Sequence, residues 1–169
     1  FALCEKLGIK MIKVPLTGDG PEMNIVEDLV KNDESIKGIW CIPKHSNPTG
    51  ETYSQDTVKR IANLPLIGSP DFIVLWDNAY AVHDFANSKE LPSIQDISQD
   101  LNTFDNIATF GSTSKITFAG GGIAFLGASD KLMALFLDYF SKFNFSPDKV
   151  NQARHVRFLK NKKGIESHM

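Results

Sequence analysis

Cysteine pairs and long apolar runs are both missing from this sequence, and either would have declared a scaffold at once. Its 169 residues hold only Cys4 and Cys41. With no partner pair at metal-ligand spacing, neither a disulfide framework nor a zinc site is expected, and a reduced, cytoplasmic setting is the default. No apolar stretch approaches the roughly 20 residues that cross a bilayer, and no charged-then-apolar leader opens the chain, so no membrane association is expected. Charge of one sign is lacking too. The 18 basic and 20 acidic residues leave a net charge of -2, and their scatter gives no field to draw nucleic acid. Repeats, low-complexity tracts and flexible linkers are also absent. The initiator methionine is missing, with Phe1 already inside an apparent element, which reads as a piece of something longer.

What is present suits one globular domain, with 42% hydrophobic residues and a length that buries a real core. Residues 1–7 read as the last turns of a helix closed by Gly8, and Ile9 to Pro15 as a strand. A turn over Thr17–Pro21 precedes a helix carrying Ile25, Val26, Leu29 and Val30 up to Asn32. Residues 36–42 form a strand covered on both faces, followed by a turn-rich loop over 43–50. Ser54 caps a helix with Val58, Ile61, Ala62 and Leu64 inward, which Pro65 ends.

Phe72–Trp76 is the most apolar strand. Residues 81–92 read as an irregular excursion, and Ile94, Ile97 and Leu101 mark a short helix before a strand at Ile107–Phe110. About eleven residues without a helix signal then lead to a strand between Gly122 and Gly127; a parallel crossover needs more, so this strand is expected to be antiparallel. Lys131–Phe143 reads as an amphipathic helix with Leu132, Leu135, Phe136, Tyr139 and Phe140 inward. A last helix starts at Ser146 or Asp148, carries Val150, Ala153, Val156, Phe158 and Leu159, and runs on to Met169. The alternation predicts an α/β fold of three layers, α/β/α, around a mostly parallel sheet with one antiparallel strand.

In such a sheet, ligands bind beyond the carboxyl ends of the strands. Three polar clusters fall on that edge: Asn47, Asp77 with Tyr80, and Ser112 to Lys115. Taken singly, each has a plain explanation: a turn asparagine, a strand-end cap, a packing tyrosine, polar loop serines and a solvated lysine. Together they offer an amine for a cofactor aldehyde, a carboxylate for a pyridinium nitrogen, and hydroxyl and amide donors for a phenolic oxygen and a phosphate.

The ordered set Asn47-Pro48-Thr49-Gly50, Asp77-x-Ala79-Tyr80 and Ser112-Thr113-Ser114-Lys115, with 30 residues from Asn47 to Asp77 and 38 from Asp77 to Lys115, resembles the class I aminotransferases of fold type I. The likeness is strongest to bacterial aspartate-aminotransferase-like proteins and runs through most of the chain. The resemblance implies pyridoxal 5'-phosphate as cofactor. It implies Lys115 as the Schiff-base lysine and proton shuttle, Asp77 on the pyridinium, Tyr80 and Asn47 on the phenolic oxygen, and Ser112 on the phosphate, with Ser114 as a further phosphate candidate. Where the family places a phosphate-binding arginine eight residues after the lysine, this chain has Ile123 beside Gly120-Gly121-Gly122, whose amides are a partial substitute.

Family members are considerably longer. By resemblance, residues 1–145 are the central part of the large cofactor domain and 146–169 begin the helix leading to a small domain that would grip the substrate carboxylate. Amino-acid and 2-oxo-acid substrates, a homodimer and an inactive isolated fragment are implied in the same way. Lyases and synthases of this fold share the same cofactor residues. A cofactor-binding sensor domain of a transcriptional regulator is a further alternative, disfavoured by the lack of a basic winged-helix segment, and an α/β domain without cofactor is the plainest one.

Overall fold

The computed structural model describes residues 2–84 and 89–169. Phe1 and the middle of the 81–92 excursion, residues 85–88, lie outside the described residues. The chain begins with helix α1 (Ala2–Lys6), closed by Gly8 at a φ of +74°, a left-handed position that glycine takes without strain. The strand expected over Ile9–Pro15 is not formed. Ile9 and Ile12 are exposed, Val14 alone packs against the core, and the one bridge nearby joins Leu16 to Pro21. A strand exists through its ladder, and no described strand runs beside this segment.

Helix α2 (Met23–Asn32) leads to strand β1 (Gly38–Cys41). Helix α3 (Gln55–Ile67) leads to β2 (Ile73–Asp77). Helix α4 (Ile94–Asp100) and a short 3₁₀ turn over Phe104–Asn106 lead to β3 (Ile107–Ser112), and a loop returns to β4 (Ala124–Gly127). The sheet order is β1-β2-β3-β4. β1 and β2, and β2 and β3, pair in parallel, whereas β3 and β4 are antiparallel, as the short connection requires.

Alternation along the strands sorts the two faces. Val74 and Trp76 of β2 and Ile107 of β3 point toward α2, α3 and α4 and are at most 1% exposed. Val58, Ile61, Ala62 and Leu64 of α3 are wholly buried beside them. Trp40 stands on the opposite face and is 62% exposed, so β1 is not covered on both faces as expected. Cys41 and Tyr53 are buried in the core, and that burial pushes both the thiol and the phenol far above their ordinary values.

Ser54 caps α3 by accepting from the Thr57 amide at 3.2 Å, as its position suggests. The helix does not stop at Pro65 but runs two residues further, to Ile67. The proline lies in the last turn, and the Gly68 amide still closes the helix onto the Leu64 carbonyl at 3.0 Å. On the outer side, Arg60 forks onto Glu27 of α2, Nε to Oε1 and Nη2 to Oε2, both at 2.8 Å. The hydrogen bond from Arg60, opposed by desolvation, holds the Glu27 carboxyl below its ordinary value. A carboxyl depressed in the folded state stabilises above its unfolded pKa, and that contribution is lost as pH falls through the folded value. The expected effect of Arg60→Ala is a loss of about 0.2–1 kcal/mol at neutral pH that shrinks as pH falls through the folded value of Glu27, read from urea midpoints at neutral and acid pH.

The C-terminal helices depart most from expectation. Helix α5 (Asp130–Phe140) buries none of its residues; Leu135 is 65% and Tyr139 66% exposed, while Phe136 and Phe140 stack on one another at 5.1 Å. Periodicity shows that an apolar face exists but not what covers it, and α5 packs chiefly on the 3₁₀ turn. The final helix is divided at Lys160, which has a φ of +61°. It forms α6 (Lys149–Leu159), capped by Asp148, and α7 (Lys162–His168). The Asn161 side chain accepts from the Gly164 amide at 3.1 Å and so starts a new helix where the old one was to continue. His155 and Leu159, one turn apart, face inward; Val150, Val156 and Phe158 are exposed. Among the described residues no helix is long and apolar enough to cross a membrane.

Candidate active site

Asp77 is the last residue of β2, and register sets it opposite Phe110 of β3. One residue on, the Asn78 amide donates to the Phe110 carbonyl at 2.9 Å, prolonging the parallel ladder to the mouth of the sheet. The Asp77 carboxylate is half-buried there. Its Oδ1 accepts from the Ala79 amide at 3.1 Å, turning the chain toward Tyr80 and leaving Oδ2 without a hydrogen bond among the described residues. Tyr80 packs edge-on against His83 at 5.5 Å.

Three residues past the end of β3, Lys115 extends into solvent with its Nζ 6.0 Å from the centre of the Tyr80 ring. Strands β2 and β3 thus carry an amine, an aromatic ring and a carboxylate to one edge. The lysine sits in a tight turn centred on buried Thr113. The Ile116 and Thr117 amides both donate to the Thr113 carbonyl, at 3.0 and 2.8 Å. The Ser114 amide donates to Ser112 Oγ at 3.0 Å, and Ser112 Oγ in turn donates to Ser114 Oγ at 2.9 Å. The Ser112 proton is therefore committed, and the free hydroxyl proton of the pair belongs to Ser114.

Asn47 lies in the loop after β1, exposed, and no hydrogen bond among the described residues joins it to Asp77, Tyr80 or Lys115. What fastens that loop to the site is its neighbours. Lys44 Nζ pairs with Asp84 Oδ2 at 2.6 Å and donates to the Ala81 carbonyl at 3.3 Å, while His45 Nε2 lies 3.1 Å from Asp84 Oδ1. Sequence reading missed Lys44, His45, His83 and Asp84. All four sit in segments whose turn-forming composition masks long-range pairing, and only the strand order brings 44 and 84 together.

A family model described as aspartate amino-transferase matches residues 1–169. The chain belongs to the aspartate aminotransferase family. The aspartate aminotransferase of Corynebacterium glutamicum is 39% identical over 172 residues, covering all of this chain and 39% of its own length. A Mycolicibacterium smegmatis protein is 44% identical over 170 residues, again with the whole of this chain and 40% of its own length. The solved structure of an aspartate transaminase from C. glutamicum superposes with a TM-score of 0.91 at 37% identity, over 99% of this chain and 39% of the other. The chain thus spans about 40% of the length of the curated relatives it matches.

Within this family member, the glycines after the lysine have a packing role. A Cβ on Gly122 would run into Ser114, meeting its Oγ and coming within 2.7 Å of its Cα. Ile123 is spent locally as well. Its amide donates to Thr113 Oγ1 at 2.9 Å, and its carbonyl accepts from the Thr113 amide at 2.9 Å. Gly122→Ala is therefore expected to cost about 1–3 kcal/mol through overpacking against the lysine turn, seen as a lowered urea midpoint with an unchanged slope.

Proposed function

We propose that this chain is the cofactor-binding part of a pyridoxal-phosphate-dependent aminotransferase that moves an amino group between an amino acid and a 2-oxo acid. Residues 1–145 would be the central part of the large domain, and 146–169 the segment leading toward a second domain. The observation that carries this reading is Lys115 Nζ above the Tyr80 ring at the strand edge that also bears Asp77. The 39% identity with an aspartate aminotransferase along the whole chain supports it and makes aspartate the first substrate to try.

The residues present fit the cofactor's ring. Asp77 has one carboxylate oxygen held by the Ala79 amide and the other without a hydrogen bond among the described residues, so it is able to keep a pyridinium nitrogen protonated. Tyr80 and Asn47 would donate to the phenolic oxygen. At the phosphate end Ile123 offers neither a charge nor a free amide, which leaves the hydroxyls of Ser112 and Ser114, chiefly the uncommitted proton of Ser114. When bound, the cofactor supplies an aldehyde for the lysine and a ring that draws electrons from the substrate α-carbon. Lys115, on an exposed arm, then carries the proton that the α-carbon loses. A homodimer belongs to the same reading and rests on the family; a cytoplasmic location rests on the cysteine usage alone.

The full-length protein tests it. With pyridoxal 5'-phosphate it should form a borohydride-reducible adduct, mapped by mass spectrometry to Lys115, and convert aspartate with 2-oxoglutarate. An adduct without any amino transfer, across a panel of amino acids, would move the protein to the sensor class.

A further inference from the structure

Three of the four histidines converge on three consecutive residues of the lysine turn. His83 Nε2, from the loop after β2, lies 3.3 Å from the Lys115 carbonyl. His168 Nε2, at the end of α7, lies 2.9 Å from the Ile116 carbonyl. His155 Nε2, on α6, lies 3.2 Å from Thr117 Oγ1. Carbonyl oxygens only accept, so the His83 and His168 contacts are donated by the rings.

His155 is the informative one, because it is buried and both of its ring nitrogens are engaged. Its Nδ1 lies 2.9 Å from the Asn151 carbonyl, which can only accept, so Nδ1 donates there. The Thr117 hydroxyl that Nε2 meets also donates to the Thr113 carbonyl at 3.0 Å, beside two backbone amides. The Phe118 ring stacks on His155 at 6.4 Å. One helical turn earlier, Asn151 Nδ2 donates to the Gly121 carbonyl at 2.8 Å. α6 thus grips the loop on both sides of its Phe118–Gly120 tip.

We propose that His155 is a positioning residue for Lys115, holding Thr117 from α6 so that the turn presents Nζ to the Tyr80 ring. The proposal rests on Lys115 being the cofactor lysine. Tethering from behind matters because the lysine arm itself is exposed and has no hydrogen bond of its own among the described residues; only its backbone can be aimed. A misplacement of about 1 Å at a reacting group costs up to about 10²-fold in rate.

The test uses the full-length protein and two reagents read at Lys115 by peptide mass spectrometry. Pyridoxal 5'-phosphate with borohydride reports the aimed amine, and trinitrobenzenesulfonate reports mere accessibility. His155→Leu, which keeps apolar volume, and Thr117→Val, which removes the hydroxyl at constant shape, should each slow pyridoxal-phosphate labelling by about fivefold or more while leaving trinitrobenzenesulfonate labelling within about twofold. The double variant should be no slower than either single one, and His155→Gln, whose amide can still hydrogen-bond the Thr117 oxygen, should recover most of the rate. Wild-type labelling in His155→Leu, or an equal loss with both reagents, would overturn the proposal. If the wild type itself takes no pyridoxal phosphate at Lys115, the cofactor reading falls instead. Amide exchange at residues 115–117 then decides the tether alone: faster exchange in His155→Leu but not in His155→Gln upholds it, and unchanged exchange sinks it.

Discussion

Lys115→Ala is expected to abolish the borohydride-reducible adduct with pyridoxal 5'-phosphate and to lower amino transfer by about 10²–10⁴-fold through the lost proton transfer alone. The geometry makes this a clean experiment. The Lys115 side chain is exposed, its Nζ lies 6.0 Å from the centre of the Tyr80 ring with no hydrogen bond among the described residues, and the turn that carries it is held by backbone bonds to Thr113. Truncating such a side chain changes stability by no more than about 0.5 kcal/mol. A loss of adduct therefore cannot be put down to unfolding, and a reducible adduct surviving in the alanine variant would remove Lys115 from the site.

Trp76→Ala should have the largest effect on stability, about 3–5 kcal/mol, measured as the drop in unfolding free energy in urea. Trp76 is 1% exposed, meets Tyr53 edge-on at 6.0 Å, and fills the layer between β2 and the helices. Against the 5–15 kcal/mol that holds an ordinary domain together, that is a large share. It is also the residue before Asp77, so the cavity opens directly beneath the carboxylate, and cofactor affinity should fall with stability. A change below about 1 kcal/mol would mean that the strand is held from elsewhere.

The sheet was readable because β-rich runs ended in turn residues, and because the span from Phe110 to the next strand was too short for a parallel return. The placing of Asp77, Tyr80 and Lys115 at one edge was readable for a related reason: each ends a strand or lies within three residues of its end, so its edge of the sheet is set by local sequence. The mistakes share a different cause. Ile9–Pro15 has strand composition but no neighbour to pair with, and the apolar stripe of α5 has the right period but little to pack against; local pattern carries no information about partners. The Pro-Lys-His-Ser-Asn-Pro loop shows turn residues and Asn47 locally, but the ties from Lys44 and His45 to Asp84, some forty residues away, have no local signal. His155 looked like one residue of a continuous helix. Its burial depends on where that helix lies against the lysine loop, which no periodicity specifies.

The antiparallel return of β4 has a consequence for the order of events in making this site. In the hairpin, Ser112 pairs with Ala124, twelve residues away, whereas Gly38 of the parallel pair finds Ile73, thirty-five away. Closing the shorter loop costs about 1 kcal/mol less chain entropy. The one local pairing in an otherwise long-range sheet is thus the one that carries the lysine, and its stem can form before the crossovers are in place, leaving the later-docking β2 to bring Asp77 to a loop already shaped to meet it.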